Sequence, residues 1–582
     1  MRIAFSRAVL LAIALGVFAS DGAARPLEKL IAEYEAFHQA GDPEADARAR
    51  GEDPRTWARV TPTFIAERAV EAVDMLDALN ALDAKAATLE SAILRHLLRH
   101  HINAQAYDTA RIPFVGDWGF FAEPPFYALR TRANTREKAE AWIARLQDVP
   151  RYFDDHVTNL RRGIDTGWTQ HADPLTTSIE QIRSQIRSDP RQSPLFTPFL
   201  SLDASDLTEA EIAALKTRGA MAVTTAIEAY QGLLQFLQDE YAPAARPGAG
   251  LSTLNGGRGA YAMAVDFHTA GAGYTPQDIH QIGQAEVARI RAEMDEIIDE
   301  VAFEQGFAAF IEFLRTDPQF YAETPDDLLE KAAEMSKRLD AILPRYFRTL
   351  PRLPYGVAAV PAEIAPGFTT GRYASGSAEK GLAGTYLVNT YALDQRPLYE
   401  LPALSAHEAV PGHHLQIALA QELVGVPEFR KSYYPTAFGE GWALYAEKLA
   451  GEAGIYRTPY ERFGQLSYEM WRACRLVADT GLHHYGWTRA EAATCFIENT
   501  ALAPLNIETE VTRYIGWPGQ ATAYKIGELK ILDLRARAKA RLGEAFDIRD
   551  FHDAVLGAGA MPLDALDRRI EAWIAAREAE AG

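Results

Sequence analysis

Between Ser405 and Gln416 the chain reads Ser-Ala-His-Glu-Ala-Val-Pro-Gly-His-His-Leu-Gln, and Phe438 to Glu447 reads Phe-Gly-Glu-Gly-Trp-Ala-Leu-Tyr-Ala-Glu. Imidazole and carboxylate are the donors a zinc ion takes when thiolates are scarce. With two cysteines in 582 residues, a Cys-rich zinc module is excluded. In a helical His-Glu-x-x-His, the histidines at i and i+4 share one face, and the Glu lies beside the water to be activated. Here His407-Glu408 is followed at i+4 by Pro411, so the strict spacing is broken. On an unbroken helix His414 is nearly in phase with His407 but roughly 10.5 Å along the axis, close to the limit for sharing an ion. Pro411 and Gly412 allow a distortion that brings His413 into the i+4 place. His413 is therefore the expected second ligand, with His414 as the alternate.

A hydrolytic zinc site keeps one position open, so a third ligand is expected from another element. Glu440, at the head of an amphipathic pattern, fills that role. Glu447, two turns on, is placed to orient a ligand imidazole. Glu408 is then the general base, and the pattern points to one Zn2+ per chain and hydrolysis of an acyl bond. Two other readings fit the same residues: a metal-dependent amidase or esterase, and a non-catalytic periplasmic binding protein with a degenerate metal site.

The elements that must hold these groups are mostly α. Val287, Ile290, Met294, Ile297, Ile298 and Val301 follow the spacing of one buried helical face. Thr275-Pro-Gln-Asp278 supplies an N-cap, a proline at N1 and an acid in the first turn. Similar patterns cover 26–38, 64–99, 136–161, 208–241 and 325–348. Gly and Pro cluster at 243–259 and 353–371, marking long loops. Gly384 to Tyr391, rich in β-branched and aromatic residues, is the best strand candidate. Neither a repeat nor a low-complexity segment interrupts the chain.

Residues 1–24 have the charged start, apolar run and small-residue end of a secretory signal, leaving 25–582 as one large helical catalytic domain, with the metal site in the C-terminal of two possible lobes. Export to the periplasm is expected, without stable membrane insertion. No cysteine lies near the cleavage site, which argues against a lipid anchor. Cys474 and Cys495 can form one bridge in an oxidising compartment or stay as buried thiols. A net charge of -20 repels phosphate backbones, so nucleic acid is not an expected partner.

His407-Glu-x-x-Pro-Gly-His-His and Gly439-Glu-Gly-Trp-Ala, with the stretches 471–483 and 513–527, resemble the bacterial domain of unknown function 885 family over nearly all the mature chain. That family distantly resembles the helical zinc peptidases of the thimet-oligopeptidase and angiotensin-converting-enzyme group, a zincin-like fold with a small β-sheet at a deep channel. The resemblance implies short peptide substrates, backbone pairing by a strand near Tyr386 to Asn389, and His483 and Tyr524 as substrate and oxyanion contacts, with Tyr514 the alternate. Arg475 and Asp479 are expected to pair with each other or with a peptide terminus.

Overall fold

The computed structural model describes residues 25–581 except 84–87, 116–117, 363–364, 366–367 and 379–380; the signal segment lies outside the described residues. Helices dominate, and the sheets are small. Among the described residues, no helix is long and apolar enough to cross a membrane.

The helix Pro276–Glu300 starts as its sequence dictates: Thr275 Oγ1 accepts from Asp278 N, and the Asp278 carboxylate accepts from Thr275 N. Its face of Ile290, Met294, Ile297 and Ile298 is buried. Two of the amphipathic stretches are pairs of helices. The stretch 64–99 divides into Pro62–Asn80 and Leu89–Ala106, and 136–161 divides into Arg136–Gln147 and Val149–Thr166. In the second case Pro150 has no amide to donate, so it is tolerated only in the first turn of a new helix.

One apolar core is built from residues between Trp57 and Tyr241. A second gathers residues from Leu251 to Ile574, including Ala406, Trp442 and Tyr386, and so surrounds the His-Glu region. Cys474 and Cys495 form a disulfide that ties the helix Pro459–Thr480 to Arg489–Asn499.

Three short strands make the sheet beside that core. Gly384–Val388 is central, parallel to Tyr355–Ala359 on one side and antiparallel to Gly371–Ala374 on the other. The outer strand Tyr355–Ala359 corrects the reading of 353–371 as loop, and Gly371–Ala374 begins at its last residue. Five and four residues, with glycine and alanine among them, carry too little period-two signal to be read locally.

Candidate functional site

The first histidine helix, Leu401–Glu408, stops one residue after His407, and a second, His413–Gln421, begins after four connecting residues. The Val410–Pro411 peptide bond is cis. His414 N donates to Ala409 O at 3.0 Å, and Gln416 N donates to Gly412 O at 3.1 Å, so the amides beyond the break are re-satisfied. A Cβ on Gly412 would collide with the His407 carbonyl oxygen, so only glycine permits this fold-back. Trp442 Nε1 donates to Pro411 O at 2.8 Å and pins the connection to the next helix. The result sets His413 beside His407, ring centroids 4.8 Å apart and nearly perpendicular.

Glu440 enters from the first turns of the helix Thr436–Glu452. This helix crosses Ala523–Leu542 at two glycines: a Cβ on Gly441 would strike the Gly527 backbone, and one on Gly527 would strike the Ala437 carbonyl. Side chains cannot separate the backbones there, so Glu440 and Tyr524 are carried by two rigidly apposed helices.

Among the described residues, His407, His413 and Glu440 are the one group of three or more such side chains whose potential ligand atoms converge. His407 Nε2 lies 3.4 Å from Glu440 Oε2, and His413 Nε2 lies 3.5 Å from the same oxygen. Tetrahedral zinc with bonds of about 2.0–2.1 Å requires its ligands to sit about 3.3–3.4 Å apart. The donor set, and the spacing of each histidine nitrogen from Glu440 Oε2, therefore fit that ion, and the ligand atoms all lie within 4.8 Å of one another. Burial lowers the basicity of His407, but Glu440 and Glu447 outweigh it and hold its pKa up at about 10. Burial alone would raise the pKa of Glu440; the facing His413 and His407 hold it well below the carboxylate range. Two carboxylates facing His407 make this a place suited to positive charge.

His407 Nδ1 donates to Glu447 Oε1 at 2.7 Å, which turns Nε2 toward the cluster. Arg472 Nη2 stands 3.9 Å behind Glu447. His414 is turned elsewhere: its Nδ1 meets Tyr373 Oη at 3.0 Å, its ring packs 4.6 Å from Tyr355, and burial lowers its pKa to about 4. The fold thus groups His413, and not His414, with His407.

Glu408 Oε2 accepts from Tyr373 N at 2.7 Å. Asn389 N donates to Thr370 O, so Thr370 and Arg372 face the central strand and Tyr373 N faces outward, toward Glu408. The edge at Gly371–Ala374 therefore borders the site. Gly384–Val388, paired on both sides, has no free edge, and this corrects the expectation that Tyr386 to Asn389 pairs with substrate. Asn389 Nδ2 is instead spent on Ala365 O, Phe368 O and Thr369 O.

Tyr434 went unrecognised in the sequence. Its hydroxyl lies 3.4 Å from His413 Nδ1, and its ring packs against Gly439. The residue is 40% exposed, yet its hydroxyl is enclosed; burial, with Glu440, Tyr524 and Glu408 facing it, pushes the phenol well above its ordinary pKa. The only sequence sign is a pair of tyrosines before Pro435, which no spacing rule distinguishes.

Tyr524 lies on the same side. Arg513 Nη2 and Gln520 Nε2 donate to its oxygen at 3.3 and 3.5 Å, which leaves the phenolic proton uncommitted to either. His483 does not join it. Leu251 N donates to His483 Nδ1 at 3.0 Å, His483 Nε2 donates to Tyr514 O at 2.9 Å, and burial pushes its pKa to about 3. No ring nitrogen remains for an oxyanion, so the expected substrate contact is corrected to a structural tie. Tyr514 is buried and donates to Glu510 Oε2 at 2.6 Å. Arg475 and Asp479 do not pair: Arg475 bonds Glu510 and Tyr514, whereas Asp479 accepts from Tyr261 Oη and Gly519 N.

The chain belongs to the bacterial protein family of unknown function DUF885, which matches residues 43–570. Two solved structures, each described as a putative lipoprotein, share the fold. One from Colwellia psychrerythraea is 27% identical, with a TM-score of 0.86 over 94% of this chain and 99% of its own. One from Shewanella oneidensis, of unknown function, is 19% identical, with a TM-score of 0.68 over 93% and 97%. No curated protein matches the sequence.

Proposed function

We propose that this chain is an exported zinc-dependent hydrolase of short peptides, with the zincin-like site of His407, His413 and Glu440. The observation that carries the reading is the convergence of one ligand atom each from His407, His413 and Glu440 within 4.8 Å, with both histidine nitrogens near tetrahedral spacing from Glu440 Oε2. A zinc ion held there would acidify a water and polarise a carbonyl. Glu408, anchored through Oε2 by Tyr373 N, takes the proton from the attacking water and passes it to the leaving amine. Tyr524, its oxygen already accepting from Arg513 and Gln520, gives its hydroxyl hydrogen to the developing oxyanion. The strand edge at Gly371–Ala374, next to Glu408, suits an extended peptide backbone. The disulfide and the signal-like N-terminus support work in an oxidising compartment.

The test is cleavage of a pool of short unmodified peptides, read by mass spectrometry. Zinc-loaded protein is expected to cleave, and the Glu408→Gln variant to keep its zinc without cleaving. Cleavage that survives Glu408→Gln or complete chelation would overturn the reading.

A further inference from the structure

Next to the metal-type cluster lies a second group of charges that the reaction above does not use fully. Arg475 is 3% exposed on its side chain, and it is held by Glu510 Oε2 at 2.9 Å and Tyr514 Oη at 3.1 Å. Its Nη1 is buried and has no hydrogen-bond partner. The guanidinium packs 4.4 Å from the ring centre of Tyr524 and 4.6 Å from that of Trp471. Arg513 stands beside it, reaching Glu510 Oε1 at 3.4 Å, Gln520 Oε1 at 2.6 Å and the Tyr524 hydroxyl at 3.3 Å. A quarter of the Arg513 side chain is exposed, so this is the accessible member of the pair.

The charges do not balance. Two guanidiniums share one carboxylate, Glu510, whose remaining contact is the hydroxyl of Tyr514. Asp479, the next acid on the Arg475 helix, is occupied by Tyr261 and Gly519. An unpaired buried cation costs several kcal/mol, and an orphaned guanidinium nitrogen adds to it. By contrast Lys525, fully buried one residue from Tyr524, meets three carboxylates. An anion from outside the protein would complete the contacts of the Arg475–Arg513 pair.

Resting on the peptidase reading, we infer that Arg475 and Arg513 form the subsite for the free C-terminal carboxylate of the substrate, so that cleavage occurs close to the C-terminus. A planar guanidinium matches a carboxylate in two-pronged geometry, and a second one behind it holds the charge in place. Tyr524 joins the two sites: its ring packs on Arg475, and its hydroxyl meets Arg513 while facing Tyr434 and, beyond it, Glu440. The carboxylate and the attacked carbonyl therefore lie on either side of one tyrosine.

The experiment compares acetyl-trialanine bearing a free carboxylate with its C-terminal amide. Binding is measured by calorimetry on the zinc-loaded Glu408→Gln chain, where turnover does not interfere; hydrolysis of the same pair is measured separately on wild type. The acid is expected to bind about 100-fold more tightly than the amide, the range of one well-formed charged contact. Arg513→Gln is expected to bring that ratio to near one while zinc stays at one per chain, with Arg513→Lys in between. Equal affinities for acid and amide, or no measurable binding of either, overturn the subsite. A strong acid preference in binding with no hydrolysis by wild type instead leaves the subsite standing and removes the peptidase reading.

Discussion

His407 and His483 are both buried histidines near helix ends in the C-terminal half, and the fold treats them in opposite ways. The imidazole of His407 faces Glu440 and Glu447, which keep its pKa near 10. His483 faces a backbone amide and a backbone carbonyl, and burial takes its pKa to about 3. Burial is common to both, so it does not identify function; the partners do. Carboxylates around an imidazole give it a negative surround that suits a cation, whereas backbone groups use up both nitrogens.

This contrast is sharpest when each histidine is removed. His407→Ala is expected to abolish zinc binding and peptide hydrolysis together, with the fold retained by circular dichroism. Next in size is Glu408→Gln, which should keep zinc and lower kcat by about 10^2–10^4, the range of a general base. Tyr524→Phe should lower kcat by about 10^2, since it removes one donor to the oxyanion. An unchanged kcat there would return Tyr524 to the role of a packing residue.

Two smaller effects separate positioning from structure. Glu447→Gln is expected to weaken zinc affinity about 10- to 100-fold by loosening the orientation of His407, as read by competition with a chelator. His483→Phe should leave zinc near one per chain and destabilise the fold by about 2–4 kcal/mol at pH 7 in urea titrations, because two buried backbone groups lose partners. Its pH dependence has a definite sign. Folded His483 resists the proton that the unfolded chain accepts near pH 6.5, so its contribution is complete above pH 6.5 and declines as pH falls toward 3. The gap between wild type and His483→Phe should therefore narrow by about 1.4 kcal/mol per pH unit below pH 6.5 and close before pH 3 is reached. A gap independent of pH would mean that His483 is not buried as a neutral ring.

Much of the candidate site could be read in the sequence, because His407, Glu408, His413, Glu440 and Glu447 are close along the chain and differ in type from their surroundings. Pro411-Gly412 already favoured His413 over His414, and the close backbone approach at Gly412, which composition does not encode, supplies the geometry of that choice. Tyr434 was missed because its value lies in where its hydroxyl ends, among groups from three other elements. His483 was misread for the converse reason: Leu251, which occupies one of its nitrogens, lies 232 residues away. The sheet shows the same limit. Its middle strand announced itself, while its edges were too short to be seen until pairing defined them.

The central claim is that His407, His413 and Glu440 hold one zinc ion. Its most direct test is elemental mass spectrometry on the purified mature chain, alongside His413→Ala and His414→Ala, after incubation with zinc and desalting. The account predicts near one zinc per chain for wild type and His414→Ala, and almost none for His413→Ala. A metal-free wild type, or loss of zinc in His414→Ala with retention in His413→Ala, would contradict it.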